Sequence, residues 1–317
     1  MPERNAADLF APTEEALREE RNAGFTTVGV AFDKGIFPGR VAAVNTGDAR
    51  VVLKTPVAQQ TMFGQRRGAY PVTLMGSIAL VKQAFLDAQY AARTGKSTPP
   101  ASAPPRYEFH PVARGLEAAA TGALPVWFGA STQRELTRVV ALASEMGVNN
   151  YVVVGAEEGW LAVDALKRAA KPVVVGLDFP AASSVTGRAF ELRVAPVSGR
   201  DDARRAADSA VSRLEHRNAA ALVRAGIPIA LSGNGLAPSQ FRDRVRQAID
   251  AGLSADDALR ALTTTPARLL GVDGAVGTIE TGKIANLIVT QGELFTDGRL
   301  RHVFVDGVHY DVPNVAE

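Results

Sequence analysis

A β/α barrel followed by a small β segment is the fold class this sequence predicts. Three observations carry that reading. Short, uniformly apolar, β-branched runs alternate with amphipathic helical stretches. The strand–helix units recur about every 25 residues, which implies parallel pairing with right-handed crossovers. The last forty or so residues change to a two-residue alternation interrupted by Asp306-Gly307, a tight-turn signal.

The units can be taken in order. Phe25–Ala31 reads as a strand and Val51–Phe63 as extended chain. Thr73–Ala92 reads as a helix with Leu74, Ile78, Val81, Phe85 and Ala88 on one face. Residues 95–105, rich in Pro, Ser and Gly, read as a surface loop. Val126-Trp127-Phe128 is a strand, and Thr132-Gln133-Arg134-Glu135 has the form of a capping box opening the next helix. Tyr151–Val154 is apolar at every position, as expected of a strand buried on both faces. A helix over Glu157–Ala169, a strand over Lys171–Val175, a helix over Asp201–Ala225 and a strand over Ile227–Leu231 continue the pattern. Helices over Gln240–Ala251 and after the cap Ser254 close it, and Gly277–Thr290 and Arg299–Val312 alternate as strands. A doubly wound open sheet is the competing closure, but no Gly-x-Gly-x-x-Gly follows any strand.

Composition excludes several classes of function. With 46% hydrophobic and 21% charged residues the chain is an ordinary globular one. Its net charge of +2 is spread without a basic block, so neither nucleic acid nor a membrane surface is an expected partner. The absence of cysteine removes disulfides, thiolate metal sites and cysteine nucleophiles. No signal peptide opens the chain at Met1 and no apolar run is long enough to span a bilayer, so a cytoplasmic location is the default expectation.

The C-terminal third carries a specific likeness. Ala258–Thr263, Thr265–Gly271, Gly277–Val289 and Val303–Gly307 closely resemble the closing segment of the amidohydrolase superfamily. Ala23–Val28, Gly35–Asn45 and Met75–Gln89 are similar to the imidazolonepropionase-like branch. The resemblance implies a TIM-type (β/α)8 barrel over residues 1–275 and a β-sandwich remnant over 276–317. It also implies that the first barrel strand, with its His-x-His pair, would lie before Met1, leaving the barrel incomplete at its N-terminus. Gly282–Val289 with Asn286, and Arg301–Gly307, resemble the degenerate half of tandem amidohydrolase proteins.

In that family, metal ligands and a proton-shuttling aspartate stand just past the barrel strands, where a divalent ion activates water. Here those places hold Gly129 and Ser131, then Gly155, then Asn234. Glycine offers no ligand, and an amide does not act as a general base. Asp178 follows a strand and is the weak remaining candidate, with a turn before Pro180 as its plainer role. Ser131 reads as a loop hydroxyl, and Glu157 and Glu158 as acidic residues answering a helix dipole. Trp127 and Trp160 read as packing residues, and Arg66-Arg67 as a solvated pair. His110, His216, His302 and His309 follow no barrel strand and read as surface or packing residues, so no metal ligand is assigned. The resemblance thus implies an amidohydrolase-like protein with a degenerate metal site and no cofactor, a structural partner of an intact amidohydrolase domain or of itself. The alternatives are a metal-dependent hydrolase of carbon–nitrogen bonds, using zinc or another divalent ion with ligands from elsewhere, and a barrel that binds a small molecule.

Overall fold

The computed structural model describes residues 1–48, 52–63, 70–94, 111–178, 214–233 and 235–312. Seven strands form one sheet in sequence order: β1 (Thr27–Val30), β2 (Arg40–Asn45), β3 (Val52–Met62), β4 (Val126–Ala130), β5 (Tyr151–Gly155), β6 (Val173–Gly176) and β7 (Ile229–Ser232). From β3 to β7 every pairing is parallel. β2 is antiparallel to both neighbours, so β1 still runs with the parallel set. Among the described residues β7 pairs only with β6 and β1 only with β2, and the sheet is a partial barrel.

β2 is a departure from the sequence reading, which gave residues 35–45 no strand. Its register is set by neighbours on both sides, with bulges between Val41 and Val44, and the two central alanines break the β-branched pattern that marks the other strands. The strand runs of 126–130, 151–155 and 173–176 appear where their β-branched patterns place them.

Each strand presents alternate side chains to two faces. The outer face carries Val126, Phe128, Val153, Val173, Val175, Ile229 and Leu231, packed with the surrounding helices in the main core. These helices include α3 (Leu74–Thr94), α4 (Pro111–Ala120), α5 (Gln133–Glu145), α6 (Val163–Ala169), α7 (Asn218–Arg224), α8 (Pro238–Asp250) and α9 (Ala255–Leu262). The inner face carries Trp127, Val152, Val154, Val174 and Ala230, and these meet Leu269. Val41, Ala43, Val57 and Ala58 meet Ala267, Leu270, Val272 and Val276. One short helix, α10 (Thr264–Leu270), therefore fills the inner side near the N-terminal ends of the strands. Trp127 lies between the two inner clusters as a packing residue.

The helix expected over Glu157–Ala169 is broken into a single turn at Gly159–Leu161 and then α6. The cause is Asn218, which is 1% exposed. Its amide donates to Ala156 O at 2.8 Å and its carbonyl accepts from Trp160 N at 2.9 Å, holding the chain in a turn. The strand expected over Gly277–Thr290 exists only as β8 (Leu287–Gln291). Gly277 and Gly282 turn the chain at φ +99° and +91°, which is left-handed backbone rather than strand. β8 pairs with β9 (Arg299–Val305), and β9 with β10 (Val308–Asp311), in a separate antiparallel sheet. Asp306 and Gly307 both have positive φ, as a two-residue type I′ turn requires. Of the helix expected over Asp201–Ala225, residues 201–213 lie outside the described residues. Residues 95–105 and Arg66-Arg67 also lie outside them. Among the described residues no helix is long and apolar enough to cross a membrane.

Two helices precede the sheet, α1 (Ala6–Leu9) and α2 (Glu14–Ala23). The C-terminal sheet docks beside α2 and the β1–β2 edge. Asn286 donates to Thr27 Oγ1 at 2.9 Å and to Asn45 Oδ1 at 2.8 Å. Asn45 donates onward to Asp306 Oδ1, and Asp306 N donates back to Asn286 Oδ1. Arg21, 4% exposed, donates to Thr46 O at 2.6 Å, pairs with Glu14 and lies 4.3 Å over the Tyr310 ring. Buried polar groups are costly unless paired, and here each of these is paired.

Candidate functional site

The C-terminal ends of β3–β7 form the rim where a barrel of this kind does chemistry. The rim is built largely of small residues. At Gly129 an added Cβ would meet Met62 Cγ at 3.2 Å, so the Met62 side chain occupies the adjoining space. Gly155 has φ +107°, and a Cβ there would lie 3.0 Å from Ala130 O and 3.1 Å from Ser131 Oγ. A histidine at 155 would need both an unfavourable backbone conformation and a shift of the neighbouring strand end. Gly176 adds a third residue without a side chain, and its β7 partner is Ser232.

Ser131 is bound into the loop by its backbone. Its N–H donates to Glu135 Oε2 at 2.9 Å, and its carbonyl accepts from Glu158 N at 2.9 Å. The expected capping box is present: Thr132 Oγ1 accepts from Glu135 N, and Glu135 Oε2 accepts from Thr132 N at 3.1 Å. Glu158 accepts from Gln133 N at 2.8 Å, so its carboxylate caps α5 rather than the helix that follows it in sequence. Asp178 is exposed beyond the end of β6, and its Oδ2 lies 2.9 Å from where a Gly235 Cβ would stand. Asn234 and His110 lie outside the described residues.

A family metal would need imidazole or carboxylate donors converging on this rim. Among the described residues the segments just past the strands offer the carboxylates of Asp178, Glu157 and Glu158, the last held at the α5 N-terminus, and the hydroxyls of Ser131 and Ser232, but no imidazole, while Gly129 and Gly155 are hemmed in by Met62 and Ala130. That set does not fit a hydrolytic metal centre, and no step is derived through one.

His216 lies before α7, where burial and the nearby Arg244 guanidinium lower its pKa below the ordinary imidazole value. His302 and His309 are brought together on the C-terminal hairpin, with Nδ1 of one 2.9 Å from Nε2 of the other. Asp311 stands on the same face, its Oδ1 3.8 Å from His309 Nε2. The sequence reading placed both histidines on this segment but treated them singly. The signal that joins them is the turn itself: with Asp306-Gly307 as a two-residue loop, Phe304 faces His309 and His302 faces Asp311.

Residues 218–309 match the family model described as "Amidohydrolase family". An amidohydrolase from Thermotoga maritima MSB8 is similar over 98% of this chain and 78% of its own, with 22% identity and a TM-score of 0.76. A prolidase solved with N-methylphosphonate-L-proline is similar over 80% of this chain and 68% of its own, at 18% identity and a TM-score of 0.47. An A. niger ochratoxinase is similar over 63% of this chain and 45% of its own, at 16% identity and a TM-score of 0.42. No curated protein matches the sequence. The chain thus carries an amidohydrolase-family segment at 218–309 and shares its fold with the Thermotoga protein along nearly its whole length.

Proposed function

We propose that this chain is an amidohydrolase-fold protein without hydrolytic chemistry at its barrel rim, serving as the structural partner of a complete amidohydrolase domain. One observation carries the reading: at Gly155 the backbone φ and the 3.0 Å approach of Ala130 O oppose any ligand side chain. A position that had merely lost its histidine would keep room for one. Among the described residues the outer edges of β1 and β7 have no strand partner, which supports the second half of the reading, because free strand edges invite pairing with another chain.

The test is turnover by the purified chain, incubated with zinc or manganese chloride, on cyclic amides and dipeptides. The expected result is no hydrolysis above the protein-free rate. Turnover that a chelator removes would overturn the proposal in favour of a metal-dependent hydrolase with ligands from outside the described residues. Sedimentation velocity addresses the partner half: self-association, or assembly with an intact amidohydrolase chain, is expected, and a monodisperse monomer that ignores such a chain would refute it.

A further inference from the structure

The outer face of the β9–β10 hairpin brings together three donors that the barrel rim lacks. We propose that His302 Nδ1, His309 Nε2 and a carboxylate oxygen of Asp311 form a binding site for a transition-metal dication of the zinc or nickel class. Water completes the coordination.

The geometry points there. The three donor atoms lie within 4.8 Å of one another. Two ligand atoms on one tetrahedral zinc, each about 2.0–2.1 Å from it, stand about 3.3 Å apart. The separations of 2.9 Å between the histidines and 3.8 Å between His309 and Asp311 bracket that value. Bringing all three to one ion takes ring rotations that exchange the His302–His309 hydrogen bond for two bonds to the metal. Two imidazoles and one carboxylate are a donor set that suits zinc and nickel better than calcium or magnesium.

The hairpin is also held in register. On its opposite face Val303 and Val305 are fully buried. Tyr310 accepts a hydrogen bond from Asp48 N at 3.1 Å and lies under the Arg21 guanidinium. Alternation along β10 sends Tyr310 to the body and His309 and Asp311 to the other side. The Phe304 ring lies 5.0 Å from that of His309 and limits its rotation. The two strands thus present the donors together before any ion arrives, which lowers the ordering cost of binding.

The experiment is a calorimetric titration of the untagged full chain with zinc chloride and nickel chloride at neutral pH. One ion per chain is expected. H302A and H309A should each weaken binding by at least about tenfold, and the double variant should abolish it. D311N should weaken it by a smaller factor. No saturable binding to the wild type, or binding unchanged in the double variant, would overturn the proposal. Should the double variant fail to fold, histidine ring resonances of the wild-type chain decide. Zinc must shift those of His302 and His309, and shifts confined to His110 and His216 would refute the site.

Discussion

The two ends of the partial barrel are built on opposite principles. At the strand C-termini the positions that do chemistry in such folds hold Gly129, Gly155 and Gly176, and neighbours close over the first two. At the other end Thr27, Asn45, Asn286 and Asp306 form a closed set of hydrogen bonds, and Arg21 is buried beside them with every contact satisfied. At the rim the polar side chains serve local turns and helix caps, whereas at the junction they tie together segments distant in sequence.

The sharpest way to break that contrast is to put a ligand back on the rim. Gly155→His combines left-handed strain with overpacking against Ala130, and should cost about 3 kcal/mol in chemical denaturation without conferring zinc-dependent turnover. A near-neutral variant that gains activity would mean the rim is vacant rather than closed. Next in size is Asn45→Ala, which strips a fully buried hub and leaves Thr27, Asn286 and Asp306 each short of a partner. A loss of about 2 kcal/mol is expected. A loss under a few tenths would show that the junction is not what specifies the fold. Thr132→Ala removes a cap on the rim side and should cost about 1 kcal/mol by the same measurement, smaller than the junction effect despite its regular geometry.

The smallest effect is a pH dependence beside the junction. Burial, with Glu19 nearby, raises the pKa of Glu20 above its ordinary 4.5. The folded state thus disfavours ionised Glu20, and that penalty grows as pH rises through the raised value. Glu20→Gln should increase the melting temperature at neutral pH, and the gain should vanish below pH 4.5, where the carboxyl is protonated in both states. A gain independent of pH would show that Glu20 is not held in the way its burial implies.

Much of this architecture was legible in the sequence. Tyr151–Gly155 and Val173–Gly176 declare themselves as strands because both faces are apolar, and Thr132 with Glu135 announces a helix start through local geometry alone. β2 was not legible, since its hydrogen bonds come from partners on either side and two alanines interrupt its β-branched residues. The alternation at 277–284 misled because it mimics a strand, whereas Ile279 is 87% exposed and glycines turn the chain on either side. The emptiness of the rim could be read from residue types, but its closure by Met62 and Ala130 depends on neighbouring strands. The histidine pair needed the hairpin register as well as the residues.

The fastening at the junction has a consequence for how the chain reaches this state. Thr27 and Asn45 meet Asn286 and Asp306 across separations of 259, 241 and 261 residues. Closing a loop of that length is entropically slow and gains nothing until both ends are present. During synthesis the β1–β2 hairpin emerges well before its partners and waits, its polar edge hydrated, until residues 286–306 follow. The junction is therefore completed late, by residues more than two hundred positions downstream of the hairpin they fasten.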